Sequence, residues 1–233
     1  TRRSTSGAGL GQCAVRGDGQ TCAQPANYDA GEGVILPHAR VLQPTDNLEI
    51  AETLARAFQN ESGWSYVIPD PQLRARRLVG AFHLFLRDEH RKGAVFGTDG
   101  IEAVTLWRGP GQARDSMFDT ARNIIPFMQQ LRFSIFRGLE VADLIEKHLP
   151  KEPVWYLHYA GCDPAFQGKG YGGAAIRAGL ERADQDGLPA YLETADEHNI
   201  PLYQNFGFAI KHSWQVPEGP QFWGMQRPGK TRH

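Results

Sequence analysis

Six residues, Gln167-Gly168-Lys169-Gly170-Tyr171-Gly172, constrain this chain more than any other stretch. They separate an apolar run, Val154 to Cys162, from an alanine-rich run that extends from about Gly170 to Ala183. The first run reads as a strand and the second as a helix. Glycines between them let backbone N–H groups converge at the positive end of the helix, so the implied ligand is anionic. Lys169 adds a mobile cation, and no second lysine followed by Ser or Thr is present to make a nucleotide-hydrolase phosphate loop. A plain strand-to-helix turn would use the same glycines, because glycine is the default residue wherever φ must be positive.

The elements around this turn predict a single α/β domain over residues 34–233. A short strand at about Arg40 to Gln43 leads to Asp46-Asn47-Leu48-Glu49, a capping-box pattern that opens a helix to about Phe58. Asp70-Pro71 places a cap and an N1 proline at the start of a helix that stops near Gly93, with Leu78, Phe82 and Leu86 along one side. Ala94 to Phe96 and Ile101 to Leu106 flank Asp99-Gly100, a hairpin signal. Helical stretches fill Ser116 to His148, with a break expected at Pro126. Two terminal strands, about Phe208 to Gln215 and Gln221 to Gln226, complete a mixed sheet flanked by helices. Residues 1–33 hold seven glycines among Ser, Thr, Arg, Gln and Asn with no sustained hydrophobic period, and read as a disordered or non-native tail.

Downstream spacing favours the anion-binding reading of the turn. Tyr191-Leu192-Glu193-Thr194 reads as another strand end, and Asn199, Tyr203 and Gly207-Phe208 follow it. Asn199 and Tyr203 are four residues apart, which on a helix puts an amide and a phenol on one face, one turn apart. With Gln167 to Gly172, Pro150-Lys151-Glu152-Pro153 and Val216-Pro217-Glu218-Gly219-Pro220, this pattern resembles the GNAT superfamily of acyl-CoA-dependent N-acetyltransferases, and within it the puromycin-acetylating type. The likeness is dense from about Pro150 to Pro220, thinner between Val41 and Leu149, and absent before Val34.

The resemblance implies a mostly antiparallel sheet in which two adjacent parallel strands, here Val154 to Cys162 and Ala190 to Thr194, splay apart to take acetyl-CoA. It implies that backbone groups near Ala160, Gly161 and Cys162 pair with the pantetheine arm. The amides of Gln167, Gly168, Lys169, Gly170, Tyr171 and Gly172 would bind the diphosphate, and Asn199 the pantetheine amide. Tyr203 would protonate the departing thiolate, which suits a phenol whose pKa lies about 1 to 2 units above a thiol; a core tyrosine is the alternative. Glu193 would accept the amine proton, although a carboxylate there also suits a helix cap or an ion pair with arginine. His158 is the second candidate for the base, with the sequence leaving open which face of its strand it occupies. Cys162 reads as a small buried hydrophobe rather than a nucleophile, so direct transfer in a ternary complex is expected.

Trp64 and Tyr66, between the first two predicted helices, and Trp214 and Trp223 near the end are aromatic residues suited to an acceptor pocket, or equally to core. The resulting expectation is acetyl transfer to a small-molecule primary amine, of resistance or detoxification type; a peptide acetyltransferase or a non-catalytic acyl-CoA sensor are the alternatives. A net charge of -1 leaves Arg74, Arg76 and Arg77 as the one basic cluster, read as a solvated face, so no nucleic-acid partner is expected. No apolar run approaches the roughly 20 residues of a membrane span. Three cysteines, Cys13, Cys22 and Cys162, form no C-x-x-C pair, which predicts neither a zinc site nor a disulfide framework and fits a reducing, cytoplasmic setting. A homodimer is a further expectation, and no metal is implied.

Overall fold

The computed structural model describes residues 37–230; the predicted tail, with Cys13 and Cys22, lies outside them. The chain order is β1 (Ala39–Val41), α1 (Asn47–Ala57), α2 (Ser62–Val67), α3 (Pro71–Lys92), β2 (Gly93–Thr98) and β3 (Ala103–Arg108). There follow α4 (Met117–Leu131), α5 (Ile135–His148), β4 (Trp155–Cys162), α6 (Tyr171–Asp186), β5 (Ala190–Thr194), α7 (Ile200–Asn205), β6 (Ala209–Gln215) and β7 (Gln221–Arg227). The strands form one seven-stranded sheet in the order β1-β2-β3-β4-β5-β7-β6. Its pairs are antiparallel except β4 with β5, which are parallel.

Strand periodicity assigns the two faces. Val104 and Leu106 of β3 pack with Ile50 and Leu54 of α1 and with Leu78, Phe82 and Leu86 of α3. Trp107 of β3 and Leu157 of β4 pack on the opposite face against Ile176 and Leu180 of α6. At Gly179 an added Cβ would fall 2.1 Å from the Trp107 indole, so the helix sits against that ring only because this position has no side chain.

Several local expectations hold for stated physical reasons, and several do not. The Asp70 carboxylate accepts from the N–H groups of Gln72 (2.8 Å) and Leu73 (3.0 Å) and starts α3 as anticipated. Asp46 does not cap α1; its carboxylate turns back to accept from the Gln43 N–H at 3.0 Å. The segment between the first two predicted helices, around Trp64, is itself helical: α2 is begun by Glu61, which accepts from Gly63 and Trp64 N–H at 2.7 Å each. Pro126 lies inside α4 without breaking it, because Asn123 is tied to Asp88 of α3 on one side and Phe127 packs on Phe85 on the other. The corner comes instead at Arg132, where φ is +52°. Arg74 is not solvated: it is buried and donates to the carbonyls of Gln59 and Ile68.

Candidate active site

The site begins where β4 and β5 part. Their parallel register is Trp155↔Ala190, Tyr156↔Tyr191 and Leu157↔Leu192, and pairing stops there although both strands continue. His158 and Glu193 are therefore the first residues beyond the fork. On its other edge β4 stays paired to β3 as far as Cys162, so the edge facing β5 beyond Leu157 presents unpaired backbone donors and acceptors.

The β3–β4 ladder shifts register at the same level: Leu106 faces Tyr159 while Trp107 faces Leu157, so His158 is an extra residue. A bulge breaks side-chain alternation. The His158 ring consequently lies on the same face as both Tyr156, at 5.4 Å, and Tyr159, at 4.3 Å between centroids. His158 donates or accepts through Nδ1 at 2.9 Å from Glu89 Oε1 of α3. Arg108 of β3 donates to the same Glu89 oxygen through Nε at 2.9 Å and to Asp115 through a terminal nitrogen at 3.1 Å.

A cavity of about 450 Å³ opens at the fork. Trp64, Phe85, Phe127, His158, Glu193 and Tyr203 are on its wall, and α4 and α5 close one side with Ile124, Leu131, Ile135 and Val141. Ala160 is also on the wall. Burial pushes the Glu193 carboxyl up to about 8, against the neighbouring Tyr156 and Tyr191 hydroxyls, which favour its ionised form. Its Oε1 is buried with no hydrogen-bond partner among the described residues. Burial also raises the Tyr203 phenol above its ordinary value, keeping it protonated at neutral pH. For His158, burial and then Arg108 hold the imidazole below its usual range, opposed by Glu89.

The other predicted residues lie elsewhere. Gly168 and Gly170 adopt φ of +75° and +86°, the left-handed conformation that favours glycine, and Gly170 caps α6 without a side-chain bond. The first N–H groups of α6 therefore face outward from a turn where a Cβ on Gly168 would meet nothing within 4 Å. Gln167 donates to the Cys162 carbonyl at 3.3 Å, bracing the turn on β4. Lys169 donates to the Ala165 carbonyl and lies over the Phe166 ring, and Tyr171 meets that ring edge-on. Gly172 lies beside Cys162, with room for a Cβ at 3.7 Å. Gly161 is closely covered by Leu54 and Ala57 of α1. Cys162 is buried with Ala103 and Ala175. Asn199 is 1% exposed; its Nδ2 donates to Thr194 at 3.4 Å, and its Oδ1 has no partner among the described residues. Tyr66 is not on the cavity wall; its hydroxyl donates to Glu140 at 2.7 Å.

These groups fit an acyl-CoA: an open strand edge for an amide-bearing arm, a helix-opening turn with no side-chain cap for a diphosphate, and, among the described residues, a buried acceptor at Asn199 Oδ1 without a donor. The sequence profile of the Acetyltransferase (GNAT) family matches residues 132–208. An uncharacterized N-acetyltransferase of Schizosaccharomyces pombe is 27% identical over 188 residues, covering 75% of each chain. Over residues 132–208, about a third of its length, the chain is similar to the GNAT acetyltransferases. The chain also matches a mycothiol acetyltransferase of Nocardiopsis dassonvillei, at 39% identity over 62 residues, 25% of this chain and 19% of that protein. A Corynebacterium glutamicum structure described as histone acetyltransferase HPA2 and related acetyltransferase shares the fold, with a TM-score of 0.65 at 22% identity over 85% of this chain and 99% of that one. GNAT acetyltransferases use acetyl-CoA as acyl donor, and the splayed parallel pair expected from the sequence is the β4–β5 fork. Among the described residues, no His, Cys, Asp and Glu group is arranged to hold a metal, and no helix is long and apolar enough to cross a membrane.

Two members of this site were not anticipated. Glu89 sits in the run Asp88-Glu89-His90-Arg91, which resembles a solvated helix end. A signal was nonetheless present: Glu89 is three residues past Leu86 and continues the Leu78, Phe82, Leu86 stripe. Arg108 ends an apolar strand, and only the sheet register shows what it meets.

Proposed function

We propose that this enzyme transfers the acetyl group of acetyl-CoA to the primary amine of a small molecule with an aromatic or apolar body. The observation that carries the reading is the cavity at the fork, of a volume suited to a small ligand and walled by Trp64, Phe85 and Phe127 beside Glu193 and Tyr203. The donor supplies an activated thioester carbonyl. The strand edge from His158 to Cys162 and Asn199 hold the pantetheine arm, and the turn from Gln167 to Gly172 holds the diphosphate. The ionised fraction of Glu193, which grows as pH approaches about 8, takes a proton from the arriving ammonium, and Tyr203 protonates the sulfur as the C–S bond breaks. Transfer is direct, from donor to amine in one ternary complex.

The helices α4 and α5 across one side of the cavity support a small acceptor over a folded protein. Exposed Met117, Phe118, Ile125 and Phe136 on those helices and Phe133 in the turn between them support a homodimer, which sedimentation tests. The deciding experiment is thiol release from acetyl-CoA with 2-phenylethylamine, tryptamine, agmatine, puromycin and a short peptide bearing a free N-terminus. The expected result is release with the aromatic amines. Turnover of the peptide at the rate of the best small amine overturns the small-molecule reading, and release with puromycin alone narrows it to aminoacyl nucleosides.

A further inference from the structure

Glu89 is 0% exposed, so its charge depends wholly on the side chains the fold brings to it. Burying an ion pair carries a desolvation penalty that its Coulomb energy often fails to exceed, so a fully buried carboxylate needs another reason. One of its oxygens meets His158 Nδ1 at 2.9 Å and Arg108 at 2.8 Å; the other, Oε2, has no partner among the described residues. Three elements are needed to build this contact, α3, β3 and the bulge in β4, and all converge on one imidazole at the fork.

The contact fixes which nitrogen is bare. Burial alone would raise Glu89, but His158 and Arg108 overcome it and hold the carboxyl well below its usual range. An ionised carboxylate only accepts hydrogen bonds, so His158 must carry its hydrogen on Nδ1. Nε2 is then a lone pair, and His158 lines the cavity with 15% of its side chain accessible. We propose that Glu89 is a positioning residue that presents His158 Nε2 to the acceptor amine, with Arg108 balancing the Glu89 charge so that the imidazole stays neutral.

This rests on the acetyl-transfer reading and adds a second proton acceptor to it. An ammonium loses two protons on becoming an amide. The first passes to Glu193 in its carboxylate form, populated as pH approaches about 8, and frees the nitrogen lone pair; the C–N bond forms and the C–S bond breaks, with the thiolate taking the Tyr203 proton. The second N–H proton goes to His158 Nε2, and solvent then returns Tyr203, Glu193 and His158 to their starting states. Arg108 from β3 and Glu89 from α3 set the charge of His158, with a further push toward imidazolium from Asp115; Tyr156 and Tyr159 from its own strand and Glu193 across the fork are the other titratable groups near it. Asp115 lies behind Arg108 and is itself paired with Lys92. Without Arg108, Glu89 would drive His158 toward imidazolium, which cannot accept a proton.

The test is imidazole ¹⁵N NMR of the full chain as a pH titration, paired with thiol-release kinetics using acetyl-CoA and 2-phenylethylamine. In the wild type His158 is expected as the neutral Nδ1–H tautomer at pH 7. Arg108→Gln moves its titration midpoint up and Glu89→Gln moves it down, and the acidic limb of kcat/KM moves with each. Glu89→Gln lowers kcat by about tenfold or more, and His158→Gln by roughly a hundredfold, with KM for acetyl-CoA held within about twofold. An Nε2–H tautomer, or midpoints that do not move in opposite directions, overturns the inference. The conservative Arg108→Lys keeps the charge, so a wild-type midpoint there with a shifted one in Arg108→Gln separates electrostatics from misfolding. The NMR readout needs no turnover: absence of acetyl transfer with the expected tautomer and shifts defeats the functional reading alone, whereas transfer with unmoved shifts defeats this one alone.

Discussion

Tyr203 shows how one side chain's role depends on its wall. The phenol is 5% exposed, packs edge-on to Phe208 at 6.1 Å between centroids, and still reaches the cavity. Burial, with a smaller push from Asp196, raises its pKa, so the group is a proton donor through the whole neutral range. Tyr203→Phe keeps the packing and removes only the O–H. Turnover is expected to fall by about tenfold or more while KM for acetyl-CoA stays near its starting value. Steady-state kinetics at saturating amine check this, and unchanged kcat would return Tyr203 to the role of a core tyrosine.

At the scale of elements, the turn before α6 was legible because glycine spacing is local information. Gly168 and Gly170 had to be glycine for φ reasons that no tertiary contact alters. The Asp70 cap was legible for the same reason, since donor and acceptor are two and three residues apart. What stayed hidden depends on distant chain. The start of α2 relies on Glu61, a 3% exposed carboxyl whose capping bonds form inside the fold. The bulge that turns His158 toward the cavity is a relation between β3 and β4, invisible within either. The local part carries its own prediction. Gly170→Ala places a Cβ at φ +86°, which costs about 1 to 2 kcal/mol. Because the strain falls on the turn and not on the fork, KM for acetyl-CoA should rise several-fold with kcat little changed. An equal loss in kcat would mean that the turn also sets the thioester position.

For the whole molecule, the buried carboxyls make stability depend on pH in a direction opposite to the usual one. Burial raises Glu193 to about 8 and Glu61 to about 7, each from an ordinary 4.5. The folded chain keeps these protons over a range where the unfolded chain releases them, so stability falls as pH rises from 4.5, through about 7 for Glu61 and about 8 for Glu193. Glu89 has the other sign: its contribution is present above 4.5 and lost as pH falls toward about 2. Together these place their combined optimum near pH 4.5 and predict a Tm that declines from there and levels off above about pH 8. Each pKa unit corresponds to about 1.4 kcal/mol, so the loss from Glu193 is on the order of a few kcal/mol. Thermal melts of wild type and Glu193→Gln between pH 4 and 9 measure it. The variant should flatten the decline, most clearly between pH 7 and 8.5, where Glu61 has already ionised. Parallel curves would show that Glu193 titrates as an ordinary carboxyl, and that the fork admits enough water to ionise it without help from an ammonium.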